Sequence, residues 1–265
     1  MRRCSLLIIL SILLLLTGCN YTIERRVEDM ETIFNCNAQP ITKQMNSAEI
    51  TQLYKRSLAD GKQAGYTPVI VFVNDTLEES IGFNIEKAGS LEAYAKSVLS
   101  KDHSHGKDWL DNKYSKLDND FGGDLLSIDE EYLDVLLSKP KKSDASSFIP
   151  SASAFEGEAY LIQVPTTDPY EIFAYLPFCG WNDCPSVDDM ISICKYWYDT
   201  YGAIPTTITY DTLTFYLDKP ISDKDTAIKT AKEQCAFCSE VIGMGGLESY
   251  IEMTYNSSSW TFWWD

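Results

Sequence analysis

The sequence predicts an α+β fold with a mixed or antiparallel sheet flanked by helices. Short apolar runs of strand length occur beside longer segments in which apolar residues recur every three or four positions. The two kinds of segment do not alternate strictly, as they would around an all-parallel sheet. The chain has 265 residues, 45% of them hydrophobic, so it is long enough to bury a core of this kind.

The first residues resemble the signal peptide of a bacterial lipoprotein. Two arginines precede an apolar run over residues 6–16, which is shorter than the roughly 20 residues of a membrane span. This run ends in Leu16-Thr17-Gly18-Cys19, which has the pattern of a lipobox. We therefore expect residues 1–18 to be removed as a lipoprotein signal peptide and Cys19 to carry a lipid.

Lipidation of Cys19 would anchor the mature protein to the extracytoplasmic face of the cell membrane. Two acyl chains on one residue give stable attachment, whereas a single chain is marginal. This compartment also permits disulfides. An ordinary secretory signal or an uncleaved anchor is the alternative interpretation of the same residues.

The segment after the lipobox is predicted to hold the fold away from the membrane. Residues 19–45 are polar, lack sustained periodicity and contain Pro40, so we interpret them as a polar tether. Folding is predicted to begin at Asn46, which with Glu49 forms a capping-box-like start to a helix that ends at Gly65.

An α-β-α unit opens the N-terminal α/β region, which is predicted over residues 46–140. The run 67–73 is continuously apolar and has the length of a buried strand. Helical spacing follows from residue 75 to 81 and again over 91–99. Three leucines in 133–137 predict a further helix.

Two polar stretches interrupt this pattern. Residues 101–123 contain several glycines, which predicts a long loop. It carries His103 and His105, the only histidines of the chain, and a solvated loop is a better interpretation of them than a metal site. Residues 141–156 are rich in serine and are predicted to link the N-terminal region to a C-terminal domain.

The C-terminal domain, residues 157–265, is predicted to have the element order ββαββααβ. Its helix from Ser186 is capped at the start by that serine and ended by Gly202. The predicted strands are 159–164, 171–176, 206–210, 213–217 and 260–264, and the predicted helices begin at Ser186, at Ser222 and near Leu247.

Several short motifs follow one another in this domain. They are YEIFAYLPF (170–178), GWNDCP (180–185), KYWY (195–198), YGA (201–203), YDTL (210–213), AKEQ (231–234) and WWD (263–265), together with Cys238. In this order they resemble the bacterial family called domain of unknown function 4253, over about residues 157–265, and looser similarity extends back to residues 65–70. The resemblance implies the fold only, because the family has no established activity, substrate or cofactor.

The resemblance divides the cysteines of this domain into two groups. Cys184 and Cys238 belong to the family's pattern. Cys179 stands where the family usually has glycine, and Cys235 stands where it usually has an aromatic residue. Ser239 replaces a proline that commonly follows Cys238.

Three interpretations of these four cysteines remain open. The spacing of Cys179 with Cys184 and of Cys235 with Cys238 resembles a zinc site, although the second pair falls on an apolar helical face. A disulfide between Cys184 and Cys238 would contribute about 4 kcal/mol by chain entropy. Free, packed thiols are the third. A redox role is disfavoured because a helix C-terminus opposes a thiolate. We assign no metal and no cofactor.

A catalytic nucleophile is hard to find in the C-terminal domain. The domain contains no histidine, so a Ser-His-Asp or Cys-His set within it is excluded by inventory. Carboxylates remain for acid–base chemistry, and capping or turn formation already explains three of them. The candidates are Asp183, Asp188, Asp189, Asp211, Glu233 and Asp265, of which Asp188, Asp189 and Asp211 have the structural explanation.

The aromatic residues favour binding over catalysis. Alternation along the last strand sends Trp260, Phe262 and Trp264 to one face and Trp263 with Asp265 to the other. The first face is predicted to be core, and the second could line a groove near the 181–184 loop or be covered by a helix. The candidate binding loop or pocket consists of Trp181, Asn182, Asp183, Cys184, Cys238, Trp263 and Asp265.

Charge argues against one class of partner. The chain has 39 acidic and 22 basic residues and a formal net charge of −17. It lacks the clustered lysine and arginine that bind phosphates, so we expect no nucleic-acid partner.

The leading hypothesis is a membrane-anchored lipoprotein that acts as a protein- or ligand-binding module. The alternative is a hydrolase or thiol-redox enzyme that uses residues 181–184, and a purely structural envelope role is a third.

Overall fold

One mixed sheet of six strands joins the described parts of the protein. The computed structural model describes residues 30, 34–86, 88–120, 128–138, 146–154, 157–240 and 246–264. The strands are β1 (Asn37–Ile41), β2 (Thr67–Val73), β3 (Glu158–Val164), β4 (Ala203–Ile208), β5 (Thr212–Leu217) and β6 (Ser259–Trp263). Their order across the sheet is β1-β3-β2-β4-β5-β6. Only β2 and β4 pair in parallel within this sheet, which confirms the predicted α+β class with a mixed sheet.

Helices flank the sheet on both faces. Among the described residues they are α1 (Ser47–Ala64), α2 (Asp75–Glu86), α3 (Leu91–Leu99), α4 (Gly106–Asp120), α5 (Glu130–Leu137), α6 (Ile172–Tyr175), α7 (Val187–Tyr201), α8 (Lys224–Phe237) and α9 (Gly246–Thr254). The caps of α1 are as predicted: Asn46 and Glu49 form a complete capping box, and Gly65 ends the helix in the left-handed region at φ 83°.

Residues 34–45, which were predicted to be part of a tether, include strand β1. Ala38 and Ile41 of this strand are buried and provide the packing that holds it. Pro40 is tolerated because β1 lies at the edge of the sheet, where a missing N–H need not break the ladder. The rest of the predicted tether and the signal peptide lie outside the described residues, apart from Met30.

The serine-rich segment 141–156 also contributes to the core where it is described, over residues 146–154. Ile149 and Ala152 are buried in a cluster with Ile50 and Tyr54 of α1. Phe148 packs beside them and stacks on Tyr216 of β5 at 4.6 Å, so the apolar residues among the serines anchor this segment against the sheet.

Two further elements differ from prediction. Residues 171–176 do not form a strand; a 3₁₀ turn over Pro169–Glu171 continues into α6. A short apolar run cannot distinguish a strand from a buried helical turn, which explains the error. The observed order of the C-terminal domain therefore has helix in place of its second strand.

The predicted loop over 101–123 instead contains α4. Its only described buried positions are Gly106 and Leu110, so the apolar periodicity that identifies a helix is weak. Tertiary packing holds the helix against α7 and α8. Gly106 permits this approach, since a Cβ at that position would lie 2.1 Å from the backbone oxygen of Ser192.

The core has two parts, one on each face of the sheet. Alternation along β2 sends Val69, Val71 and Val73 into the larger part, and Ile70 and Phe72 into the smaller one. Aromatic rings fill the centre of the larger part around Trp197, whose neighbours are Phe215, Phe237, Trp260 and Phe262 at centroid distances of 4.8–5.7 Å. Within the described ranges, no helix has the length and hydrophobicity that crossing a membrane requires.

Candidate functional site

The predicted binding loop lies between α6 and α7 and has a fixed backbone. Gly180 and Asn182 occupy the left-handed region, at φ 97° and 47°. The N–H of Cys184 donates to the Trp181 oxygen over 2.9 Å and closes the turn. The side chain of Asn84, on α2, donates to the Pro177 oxygen over 2.9 Å and holds the start of the loop.

One side of the Trp181 ring packs against the core. Its Nε1 donates to the Phe178 oxygen over 3.1 Å, and the two rings meet edge to face at 6.1 Å. Phe178 is fully buried, whereas Trp181 is half-buried and the next two residues, Asn182 and Asp183, are exposed. The loop therefore presents an indole, an amide and a carboxylate at the surface on a supported backbone.

Asp183 connects this loop to α4 and to the residues just after α8. Its side chain is 63% exposed, and one carboxylate oxygen lies 3.6 Å from the Lys113 ammonium of α4. The other oxygen accepts a long hydrogen bond, 3.5 Å, from the Ser239 hydroxyl just after α8. Both contacts are solvent-screened, so they orient the loop more than they stabilise it.

Several other predicted site residues gather at the same end of α8. Cys238 caps that helix, and its Sγ donates to the Trp263 oxygen over 3.0 Å. Cys184 lies near Cys238, and a negative charge on Cys238 would raise the pKa of Cys184. The structure thus brings the loop, the end of α8 and the end of β6 together. Asp265 and Cys19 lie outside the described residues.

The cysteines are buried as thiols. Those described are Cys36, Cys179, Cys184, Cys194, Cys235 and Cys238, and none of these six forms a disulfide. Burial raises the pKa of Cys184 and that of Cys235 to about 12. In the described part of the chain, no group of three histidine, cysteine or acidic side chains could hold a metal ion. In the described residues these six side chains are packed as free thiols.

His105 lies between a serine and an aspartate of α7, an arrangement that the sequence did not reveal. Its Nδ1 is 3.2 Å from the Ser192 hydroxyl, and its Nε2 is 3.0 Å from the Asp189 carboxylate. These residue types resemble a hydrolase triad. Ser192, however, is only 1% exposed, and its hydroxyl donates to the Asp188 oxygen over 2.8 Å. The serine is thus shielded from a substrate, and the contacts attach the segment before α4 to α7.

A second histidine lies beside the same attachment. The Nε2 of His103 lies 3.8 Å from an oxygen of Asp188, whose other oxygen pairs with Lys101. Burial lowers the pKa of His103, and the charge of Asp188 offsets part of this effect.

Glu233, on α8, is a buried carboxylate surrounded by aromatic hydrogen-bond donors. It is 5% exposed. Its Oε2 accepts from Trp197 Nε1 at 3.0 Å and from the Tyr201 hydroxyl at 3.1 Å, and its Oε1 accepts from the Tyr196 hydroxyl at 2.8 Å. The Lys229 ammonium, one helical turn away, lies 3.7 Å from Oε1.

Desolvation raises the pKa of Tyr201, and the Glu233 charge raises it further. Sequence reasoning named Glu233 only as one of several acids. The signal that it missed is that the family-like motifs KYWY, YGA and AKEQ each supply part of this single cluster.

Fold and site together define an α+β protein with a mixed sheet, a supported surface loop and a buried carboxylate cluster. Residues 160–265 match the family model described as Domain of unknown function (DUF4253), which confirms the resemblance inferred from the motifs. The match includes the 181–184 loop and Glu233. Comparisons with curated proteins and with solved structures found no match.

Proposed function

We propose that the protein is a lipid-anchored binding module on the extracytoplasmic face of the cell membrane, and that residues 181–183 form part of its binding surface. The observation that carries this proposal is that the Trp181 ring is partly exposed at the surface. The indole is supported by the core on one side and reaches the surface on the other, beside an exposed amide and carboxylate. Rigid, half-exposed aromatic residues bind with little loss of side-chain entropy.

The partner is proposed to be a protein. The indole offers apolar contact, Asn182 offers amide hydrogen bonding, and Asp183 offers a negative charge that a basic side chain could pair with. The overall charge of −17 supports a partner with a basic patch and opposes a polyanion.

The thiol and serine chemistry of the described residues supports binding over catalysis. A thiol whose pKa is raised to about 12 is almost wholly protonated at neutral pH and is a poor nucleophile. Ser192 is buried beside His105. The hydrolase alternative has one supporting observation, the exposed Asp183 carboxylate with Lys113 and Ser239 beside it.

Mutagenesis of the loop separates the two functions. Detergent-solubilised wild type, Trp181→Ala and Tyr132→Ala proteins would be used to capture partners from envelope extracts. Tyr132 is an exposed aromatic residue on α5 and serves as the matched control. We expect Trp181→Ala to lose a partner that wild type and Tyr132→Ala retain. Loss of a turnover activity in Asp183→Ala, with capture intact, would instead support the hydrolase.

The anchor requires its own test. Mass spectrometry of the protein from membranes should find a chain that begins at residue 19 and carries acyl groups. A variant that begins at residue 20, without the signal peptide and Cys19, should move to the aqueous phase in a detergent-partition experiment. Native protein that retains residue 1, or that partitions like the variant, would overturn the lipid anchor and leave the loop proposal to be judged by its own test.

A further inference from the structure

The Lys229 ammonium lies among two aromatic rings and a carboxylate. It is 5.8 Å from the centroid of the Tyr196 ring and 5.7 Å from that of Tyr201, and 3.7 Å from Glu233 Oε1. The two rings stand edge to face, with centroids 6.3 Å apart and an interplanar angle of 72°. Ring faces and a carboxylate are the groups that bind ammonium ions.

The carboxylate in this cluster is held in place before any ligand arrives. Glu233 is 5% exposed and receives hydrogen bonds from Trp197 and from both tyrosines. A carboxylate has about four lone-pair sites, so these three bonds leave Oε1 able to accept one more. That remaining capacity is not used by a direct hydrogen bond from Lys229, since 3.7 Å exceeds hydrogen-bond length.

Lys229 contacts the ring faces and Glu233 only at long range, although a hydrogen bond with the Tyr196 hydroxyl raises its pKa. Both ring distances lie near the limit of about 6 Å at which a cation–π interaction is significant. The side chain is 51% exposed, and its attachment one helical turn before Glu233 restricts how closely the ammonium can approach. A free ammonium group is not restricted in this way and could come closer to the rings and to Oε1.

We propose that Tyr196, Tyr201 and Glu233 form a binding site for an alkylammonium group, and that Lys229 is an internal occupant that an external ammonium displaces. The ligand class is a primary or quaternary amine on an alkyl chain, such as a lysine side chain of a protein. Lys107 of α4 is close enough to interact with Tyr196 and Glu233 and is paired with Asp111. The positive charge of Lys107 would repel a second cationic group on the ligand, so the site favours ligands with a single ammonium group.

This site is separate from the proposed surface at residues 181–183, and it does not rest on that proposal. It is built from α7 and α8, and it is tested without knowledge of any partner.

The test uses the full chain in detergent with n-butylammonium as the probe. Lys229→Met keeps most of the side-chain length and removes the charge. We expect it to bind the probe at least tenfold more tightly than wild type, by calorimetry and by the fluorescence of the core tryptophans. Adding Glu233→Gln to this variant should abolish the gain. Lys232→Met is the control, because Lys232 lies over the Tyr114 ring instead. Equal affinity in wild type and Lys229→Met, or a gain that survives Glu233→Gln, would overturn the proposal.

A second measurement applies if the variants do not fold. Tetramethylammonium has no reactive N–H, so it can be titrated into wild-type protein during amine acylation. Displacement should increase the modification of Lys229 relative to Lys232, as followed by mass spectrometry. An unchanged ratio throughout the titration would also overturn the proposal.

Discussion

The indole Nε1 of Trp197 donates a hydrogen bond to Glu233 Oε2 over 3.0 Å, at the point where α7 and α8 meet the aromatic core. Both side chains are buried. A buried carboxylate is tolerated only when hydrogen bonds or a counter-ion compensate for lost hydration. Here the donors come from α7 and the ammonium comes from α8, so the charge joins the two helices.

Removal of this carboxylate should destabilise the protein strongly. Glu233→Ala leaves three donors without their acceptor, and each unsatisfied buried group costs about 1–3 kcal/mol. We therefore expect a loss of about 3 kcal/mol or more in the free energy of unfolding, measured by urea denaturation with tryptophan fluorescence. Glu233→Gln keeps an acceptor oxygen and should lose less. Equal midpoints for wild type and Glu233→Ala would show that the cluster does not stabilise the helix pair.

The contact of α4 with α7 should be sensitive to a single methyl group. Gly106→Ala places a Cβ 2.1 Å from the Ser192 oxygen, so the helices must move apart. We expect a loss of about 1–3 kcal/mol, as for other overpacked sites. Gly82→Ala, inside α2, is the control, since apart from its own helix backbone and chain neighbours nothing lies within 4 Å of its Cβ position. It should stabilise the protein by about 0.5–1 kcal/mol. Thermal melts of Gly106→Ala and Gly82→Ala test this prediction. Similar losses of stability in both variants would show that α4 and α7 are not in close contact at Gly106.

The attachment before α4 should weaken in mild acid. The His103 side chain is 9% exposed, and burial lowers its pKa from the usual 6.5. Between the folded and the unfolded pKa, the unfolded chain binds a proton that the folded protein does not. Stability should therefore fall as the pH drops below about 6.5, and this contribution should level off below the folded pKa. The charged or titratable groups that face His103 are Lys101, Asp188 and His105.

Two variants identify the histidine responsible. His103→Gln should remove this part of the pH dependence, as measured by urea denaturation between about pH 8 and about pH 5. Asp188→Asn removes the charge that raises the pKa of His103, so its stability should continue to fall to lower pH. An unchanged slope in His103→Gln would assign the pH dependence to other groups.

Elements with local signals in the sequence, such as helix caps, were predicted correctly. Elements and side-chain pairs that depend on tertiary contacts were not. Asn46 and Gly65 bound α1 through their own side chain and backbone, which the sequence shows directly. Helix α4 has few buried positions and depends on α7 and α8, so its pattern was too weak to identify it. Glu233 has polar partners on a different helix, and His105 meets Asp189 across 84 residues of chain. Only the packed fold brings such pairs together.

The buried thiols should resist alkylation until the protein unfolds. With the pKa of Cys184 and of Cys235 raised to about 12, the reactive thiolate is scarce near pH 8, and burial also excludes the reagent. We expect iodoacetamide to label none of the described cysteines in the folded protein, and all of them in urea without a reductant, as read by mass spectrometry. Tyr132→Cys places a thiol at an exposed site on α5 and should be labelled in the folded state, which verifies the reagent. If Cys184 and Cys238 are labelled in urea only after reduction, the disulfide interpretation is correct for the native protein, and the thiol packing described above applies only to the reduced form.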